Sequence, residues 1–358
     1  TYKLPGSDKP LWDDLVNGRF IKWSSRGHIF ALIHDVHPTM LAYRRDLVEQ
    51  LGIDVDKLTT WDEFAKVGQQ ITKDYDGDGV IDRYMMDLQP DGGDYLRIIM
   101  IQHGGALLDK DGECVFDSPQ ALDAVLYYVR AANDPPSWSK THKGPHKFSF
   151  PAGWGQPLAK AMGDGLCLFY FCPDWRTKQL EMDIPAVNGK MALMPLPAWE
   201  PGGLRTSTWG ATGLAFPKTC KNFDLAWQLA MYLYYNKADL GPRFLNMNIL
   251  PPLRSSWTLP EITRPRPFFS NEPIGTLYAK LADQVPQETV TAYINNARDK
   301  LGEAYSDCAL YYQAHGDDGL EAYAKADVKR CADQVRTLIH RNVFLTHSNE
   351  FDQEAKPQ

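Results

Sequence analysis

Four closely spaced aspartates are the residues in this sequence whose types and spacing are best suited to chemistry. They occupy positions of the oxygen ligands in an EF-hand calcium loop, and Gly79 occupies the position of its sharp turn. The residues that would bind the ion are Asp74, Asp76, Asp78, Val80 and Asp82. Val80 would bind through its backbone carbonyl, and the aspartates through their carboxylates. Because hard cations prefer oxygen ligands, the pattern predicts a bound Ca²⁺ with a structural role.

The calcium pattern is incomplete at its last position. A full loop ends on a bidentate glutamate, and Met85 stands at that place. Asp and Gly also dominate ordinary turns for backbone reasons, so an acidic turn without an ion is the alternative interpretation. The mutual repulsion of four neighbouring carboxylates favours the cation.

Composition narrows the class of protein. The 358 residues are 44% hydrophobic and 23% charged, which is typical of a globular protein with room for two domains. A net charge of -7 argues against a nucleic-acid surface, because such a surface needs a basic face. The 10 tryptophans, 17 tyrosines and 15 phenylalanines offer flat amphipathic rings that suit sugar faces, although most must serve the core.

Cysteine spacing and hydropathy argue against metal-binding, redox and membrane-spanning proteins. None of the six cysteines has CxxC or zinc-knuckle spacing, so buried free thiols are expected. No apolar run approaches the length of a membrane helix, and the opening residues lack a signal-peptide pattern. If the protein is exported, its targeting segment is expected to have been removed or to lie upstream.

Strands alternating with helices predict layered α/β units. Thr60 and Glu63 have the spacing of a capping box, which predicts a helix that starts at Trp61. Strands are predicted over 27–33, 83–88, 165–171, 190–194 and 209–216. Helices are predicted over 39–51, 96–103, 118–132, 154–162, 222–233, 274–282, 289–314 and 319–342, with a long surface loop over 137–153.

Several short motifs occur in a characteristic order. They are LAYRRDL at 41–47, TWDEF at 60–64, GGALL at 104–108, FDSP at 116–119, AMGDG at 161–165 and PLP at 195–197. Their order and spacing resemble those of the extracytoplasmic solute-binding proteins of ABC importers, in the sugar-binding class related to maltodextrin-binding protein. The first motif reads in that family as a strand followed by a helix.

Two departures from the family are visible. Arg44 follows Tyr43 where the family usually has Asn. Family members also usually carry some tens of residues before the equivalent of Trp12, which include the opening βα units of lobe one. We therefore expect either a fragment or an unusual first lobe.

The resemblance implies a type II two-lobe clamshell with lobe one incomplete at its N-terminus. The expected division is 1–35 plus 249–288 for lobe one, 36–248 plus 289–345 for lobe two, and a polar tail over 346–358. A carbohydrate, expected to be an oligosaccharide, would bind between the lobes for delivery to a membrane permease. The resemblance implies a monomeric, extracytoplasmic binding protein without enzymatic activity.

Trp175 and Asp174 are the first candidates for ligand binding, because they directly follow a predicted buried strand. An indole covers the C–H face of a sugar, and a carboxylate accepts hydrogen bonds from its hydroxyls. An N-cap aspartate beside a packed tryptophan is the alternative. The resemblance adds His37 and Tyr293, and position along the predicted strands and loops adds Trp209, Trp154, Asp91, Tyr95 and Arg254.

Some candidates have structural alternatives. Tyr293 also fits core packing, Arg254 also fits closure of the lobe interface, and Asp35 is a candidate for the hinge. Two other functions remain open at this point: a secreted glycosidase, whose carboxylates have no fixed spacing, and a calcium-stabilised adhesion or scaffold module.

Overall fold

The computed structural model describes residues 3–4, 8–25 and 27–341. The predicted polar tail over 346–358 lies outside the described residues. Within the described ranges, no helix combines the length and the apolar character needed to cross a membrane.

The described strands form one six-stranded sheet and two small pairs. Their bounds are Ser24–Ser25 (β1), His28–Ile29 (β2), Leu32–Ile33 (β3), Pro38–Arg44 (β4), Tyr84–Asp87 (β5), Ser149–Phe150 (β6), Cys167–Pro173 (β7), Met191–Pro195 (β8), Ser207–Thr208 (β9) and Gly213–Leu214 (β10). The large sheet has the order β6-β5-β7-β4-β8, and β9 also pairs with β4. Strand β5 is parallel to β6 and β7, whereas β4 is antiparallel to β7, β8 and β9.

Helices cover both faces of this sheet. Their bounds are Leu11–Asp14 (α1), Arg45–Gln50 (α2), Trp61–Ile71 (α3), Gly93–Gln102 (α4), Pro119–Ala132 (α5), Pro136–Thr141 (α6), Gln156–Gly163 (α7), Asp174–Asp183 (α8), Phe223–Tyr235 (α9), Lys237–Met247 (α10), Pro260–Thr263 (α11), Ile274–Ala282 (α12), Ile294–His315 (α13) and Leu320–His340 (α14). Short 3₁₀ helices lie at Asn17–Trp23, Val55–Lys57, Pro185–Val187, Arg254–Ser256 and Pro267–Phe269.

The capping box that predicted α3 is confirmed. The Thr60 hydroxyl accepts a hydrogen bond from the Glu63 amide at 3.2 Å, and the Glu63 carboxylate accepts one from the Thr60 amide at 3.0 Å. Both contacts satisfy amides that the helix itself leaves unpaired. The helix buries Trp61 and Phe64 against the sheet.

The apolar run before Trp175 forms β7, in which every residue is buried, as predicted for a strand covered on both faces. Strand β4 is buried in the same way, but here the predicted helix over 39–51 is wrong for residues 39–44. Met40 and Ala42 face one core cluster, whereas Leu41 and Tyr43 face the other. Because both faces are apolar, the alternation that marks a strand is hidden in the sequence.

Three other predicted elements differ from the structure. The predicted buried strand over 27–33 is only the short strands β2 and β3, and Ile29 and Phe30 are exposed. The predicted loop over 137–153 contains α6 and β6, and the buried His146 ring stacks on Trp138 at 4.0 Å. The predicted strand over 209–216 is reduced to Gly213–Leu214.

A third core cluster lies apart from the two clusters on the sheet. It joins Leu11, Leu15 and Phe20 to Met231 and Tyr235 of α9. The outer side of α9 exposes Leu225, Leu229 and Tyr232. The segment that holds α9, expected in lobe two, thus packs with N-terminal residues that were expected in lobe one.

The segment over 249–288 also packs differently from its predicted place in lobe one. The Tyr278 hydroxyl donates to the Cys172 carbonyl at 2.9 Å, and Glu272 accepts from the Leu193 amide at 2.9 Å. Helix α12 thereby lies on the sheet. Helical periodicity shows which face of a helix is buried, but it does not show which core buries that face.

Candidate ligand-binding site

A buried histidine between two carboxylates lies where the chain enters β4. His37 Nδ1 is 2.5 Å from Asp174 Oδ1, and His37 Nε2 is 3.1 Å from Asp35 Oδ2. Burial lowers the pKa of His37, but the attraction of the two carboxylates outweighs burial and raises the pKa to about 9. The imidazole is therefore a cation at neutral pH. We call these three residues the histidine bridge.

The histidine bridge also holds two more distant stretches of chain through their backbone amides. Asp35 Oδ2 accepts from the Thr212 amide at 2.8 Å, and Asp174 Oδ2 accepts from the Leu250 amide at 2.6 Å. The bridge thereby joins the entry to β4 and the start of α8 to the stretches that contain Thr212 and Leu250.

Arg19 supplies a second buried cation beside the histidine bridge. Its Nη2 lies 3.8 Å from Asp35 Oδ1 and donates to the Gly210 carbonyl at 3.0 Å. Its Nη1 donates to the Thr208 hydroxyl at 2.9 Å. Burial would raise the pKa of Asp35, but His37, His34 and Arg19 outweigh burial and lower it. The two buried carboxylates thus face two buried cations.

Three tryptophans converge beside the histidine bridge. The Trp209 ring centroid is 5.2 Å from that of Trp175 and 5.4 Å from that of Trp154. Trp175 Nε1 donates to the Trp209 carbonyl at 3.1 Å, and Trp209 Nε1 donates to Asp94 at 3.0 Å. Trp154 is 43% exposed, Trp175 is partly exposed and Trp209 is buried. We call these three residues the indole cluster.

Beneath the indole cluster lies Arg176, which the sequence reasoning missed. Its guanidinium carbon is 4.8 Å from the Trp154 ring centroid and 5.2 Å from that of Trp209. Its Nη1 donates to the Tyr95 hydroxyl at 2.9 Å, and that hydroxyl donates to Asp87 at 3.0 Å. The signal that would have drawn attention to Arg176 is its place directly after Trp175.

The buried acid in this group is strongly desolvated. Burial raises the pKa of Asp87, although Arg176 and the Ala152 amide oppose the shift. The Ala152 amide donates to Asp87 at 2.9 Å. Since Trp154 follows Ala152 by two residues, Asp87 also fixes the backbone that leads into the indole cluster.

The family whose sequence model matches the chain is described as bacterial extracellular solute-binding protein, and the match covers residues 33–239. This is more than half of the chain. The chain belongs to this family. The predicted family membership is thus confirmed.

Relatives of this solute-binding protein agree with the assignment. The arabinooligosaccharide-binding protein of Halalkalibacterium halodurans is 23% identical over 338 residues, which cover 90% of this chain and 70% of the relative. The protein of the same name from Bacillus subtilis is 27% identical over 237 residues, which cover 62% of this chain and only about half of the relative, 51%.

A solved structure agrees with the predicted fold class. The sugar-binding protein MalE from Xanthomonas citri is similar with a TM-score of 0.67 at 18% identity, over 92% of this chain and 77% of that chain. The fold is therefore that of the maltose-binding-protein-like, type II two-lobe proteins, as predicted.

Six of the nine ligand-binding candidates of this solute-binding protein lie together. They are His37, Tyr95, Trp154, Asp174, Trp175 and Trp209. His37, Tyr95 and Asp174 are buried, and their polar atoms contact protein partners. Those three residues therefore support the site from behind, and the partly exposed indoles are the residues that a ligand can reach.

The other three candidates lie elsewhere. Asp91 is exposed and lines a groove of about 440 Å³ between α4 and α13, together with Arg298 and Asp299. Tyr293 packs against the large core cluster just before α13. Arg254 contacts the Leu15 carbonyl and lies 2.6 Å from Asp283, so it ties two loops together outside the indole cluster.

The predicted calcium loop holds three of its carboxylates close together. One oxygen from each of Asp74, Asp76 and Asp78 lies within 4.8 Å of the other two. The Asp82 carboxylate instead accepts from the Tyr75 amide at 2.5 Å and the Asp76 amide at 3.2 Å. Val80 is exposed and donates its amide to Asp78 at 2.7 Å. These three acidic residues could hold a cation through oxygen atoms.

Proposed function

We propose that this protein is the extracytoplasmic substrate-binding component of an ABC importer. It binds a carbohydrate against the indole cluster, between the lobes, and delivers it to a membrane permease. The observation that carries the proposal is the convergence of three indoles beside the histidine bridge, which joins distant stretches of chain. Hinge closure around such a site is a known way to signal occupancy to a partner.

The chemistry of the indole cluster suits a sugar of more than one unit. Each indole offers an apolar face to the C–H side of one pyranose or furanose ring. Trp154 and Trp175 remain partly exposed, and their separate rings can serve successive sugar units. The names of both arabinooligosaccharide-binding relatives support an oligosaccharide as the ligand.

Binding without turnover is part of the proposal. Asp35 and Asp174, two of the carboxylates near the indole cluster, are buried and face the His37 cation. A glycosidase needs one carboxylic acid that donates a proton and one carboxylate that reaches the sugar or a water. The pairing with His37 disfavours both roles for these two residues.

Ligand-dependent melting across a panel of arabino-, xylo-, malto- and galacturono-oligosaccharides tests the proposal, because a ligand that binds only the folded state stabilises it. We expect at least one oligosaccharide to raise the melting temperature and to release heat stoichiometrically without products. If no saccharide binds, the proposal is wrong. Chain-shortened products would instead support the glycosidase alternative.

The indole cluster itself is tested by Trp154→Ala. Loss of one stacked indole weakens binding by about 1–2 kcal/mol, which is roughly five- to thirtyfold in affinity. The matched control is Trp12→Ala, since Trp12 is 46% exposed and has its ring contact with Phe20, outside the cluster. Equal affinity of both variants would contradict a ligand site at Trp154.

A structural Ca²⁺ and a monomeric state complete the proposal. Asp74, Asp76 and Asp78 would hold the ion through carboxylate oxygens, which are hard ligands. The ion would fix the connection between α3 and β5, because the loop joins these two elements directly. It would take no part in sugar binding.

A further inference from the structure

Arg176 is completely buried, yet only one edge of its guanidinium is used by the protein. Nη1 donates to the Tyr95 hydroxyl at 2.9 Å and to the Phe171 carbonyl at 2.7 Å. Nε and Nη2 have no hydrogen-bond partner among the described residues. These two nitrogens form the edge of a guanidinium that binds a carboxylate through two parallel hydrogen bonds.

The nearest acidic side chain does not fill that edge. Asp87 accepts from the Tyr95 hydroxyl and from the Ala152 amide, and it reaches Arg176 only through the tyrosine. A buried cation whose bidentate edge lacks a partner is unfavourable, unless another group completes it. The position thus has the charge and the donor geometry for an anionic, planar acceptor.

Aromatic rings that suit a sugar surround the Arg176 guanidinium. Trp154 lies over the guanidinium and is 43% exposed, so it separates Arg176 from solvent. Its neighbours Gly153 and Gly155 have φ values of +75° and +64°, and open space surrounds both positions. Asp87 holds the backbone at Ala152, so a movement of the Trp154 ring away from Arg176 would use the side-chain torsions of Trp154 and the backbone freedom of Gly155.

From these contacts we infer that Arg176 binds the carboxylate of a uronic acid unit, so that the ligand is an acidic oligosaccharide. The inference rests on the proposed function and names its substrate class. The sugar ring would stack on the indole cluster, and its carboxylate would accept from Nε and Nη2 of Arg176. Neutral hydroxyls can also accept from arginine, but they lack the charge and the planar pair of oxygens.

The first experiment changes the ligand and leaves the protein intact. Calorimetric titration compares trigalacturonate with its methyl ester, which keeps the sugar chain and removes the negative charges. We expect the acid to bind at least about tenfold more tightly than the ester, as for a bidentate, charge-assisted contact. Equal binding of acid and ester would overturn the inference.

The second experiment changes the protein. Arg176→Gln should weaken binding of the acid at least about tenfold and change binding of the ester by less than about threefold. The control is Arg130→Gln. Arg130 forms an exposed ion pair with Asp317, and neither residue contacts the indole cluster through a described hydrogen bond or ion pair. If Arg176→Gln fails to fold, the relative affinities of the unaltered protein for the acid and the ester still test whether the site prefers a carboxylate.

The outcomes separate this inference from the proposed function. If neutral arabino-oligosaccharides bind and neither galacturonate ligand does, the uronate inference is wrong and the proposed function stands. If no saccharide of either kind binds, both are wrong. If Arg176→Gln loses binding of trigalacturonate and retains binding of the methyl ester, the result supports both the proposed function and the uronate inference.

Discussion

At the scale of single residues, His37 holds two buried carboxylates together. Both of its ring nitrogens face carboxylates, and its backbone adopts a left-handed conformation with φ of 54°. That conformation is uncommon for a residue with a side chain and persists where the surroundings enforce it. The histidine bridge therefore positions Trp175, which directly follows Asp174.

Replacing His37 should destabilise the protein. In His37→Gln both buried carboxylates lose the imidazolium, and only Asp35 keeps its pair with Arg19. Breaking a buried charge pair costs about 3 kcal/mol of unfolding free energy. Urea denaturation at pH 6 measures this. His103→Gln is the control, because its pair with Asp123 is more exposed and should change stability by less than about 1 kcal/mol. Equal effects would contradict the importance of the histidine bridge.

The same residue predicts how stability depends on pH. The pKa of His37 is raised from 6.5 to about 9 by Asp174 and Asp35, against the effect of burial. The stabilisation is therefore fully present below pH 6.5 and is lost as the pH rises through 9. We expect the unfolding free energy of the unaltered protein to fall across this window and that of His37→Gln to change less. If the unfolding free energies of the two proteins changed equally with pH, His37 would not be the group responsible. Arg19 and His34 also face Asp35, and both are present in the variant and in the unaltered protein.

At the scale of elements, the turn between α3 and β5 shows how local sequence fixes a connection. The Asp74 carboxylate accepts from the amides of Gly77 at 2.6 Å and Gly79 at 2.7 Å. These hydrogen bonds hold the turn in place by themselves. A cation would add a contact among three carboxylates that otherwise repel one another.

Calcium should raise the melting temperature of the protein if this turn holds the ion. Saturation at about 100 times the dissociation constant corresponds to about 2.7 kcal/mol of stabilisation. Asp76→Asn with Asp78→Asn should abolish the shift, whereas Asp109→Asn with Asp111→Asn, in another acidic turn, should keep it. Identical melting in Ca²⁺ and in chelator would show that the turn forms without an ion.

At the scale of the whole molecule, the third core cluster packs apart from the sheet, and the indole cluster lies beside the histidine bridge that joins distant stretches of chain. A ligand held between the lobes gains contacts on both sides when they approach each other. Its binding energy can therefore shift the molecule toward a closed form, provided that it contacts the closed form better.

Ligand binding should make the molecule more compact. We expect a saturating oligosaccharide to reduce the radius of gyration in small-angle X-ray scattering, without changing the monomer mass of 40.5 kDa. The double variant Trp154→Ala, Trp209→Ala at the same sugar concentration is the control and should show no reduction. Binding by calorimetry with an unchanged radius would place the ligand on one lobe only.

Local patterns in the sequence predicted a large part of the fold. The capping box placed the start of α3, the apolar run placed β7, and the periodicity placed α12, α13 and α14 to within a few residues. Each of these signals lies within one element, so neighbouring residues suffice to read it. The order of the motifs then identified the family, and the position after β7 made Trp175 a candidate for ligand binding, which remains a prediction.

Only the tertiary structure decided the roles of the buried polar residues. His37 meets Asp174 across 137 positions of sequence, and Arg176 meets Tyr95 across 81. Sequence spacing carries no record of such partners, so His37 and Asp174 were expected to face the ligand and Arg176 was missed. Strand β4 was hidden for a related reason, because apolar neighbours cover both of its faces. Short-range hydrogen bonds and hydrophobic periodicity depend on neighbouring residues, so they can be predicted from the sequence. Charge pairs between distant segments, and the burial of their polar groups, form only when the chain packs.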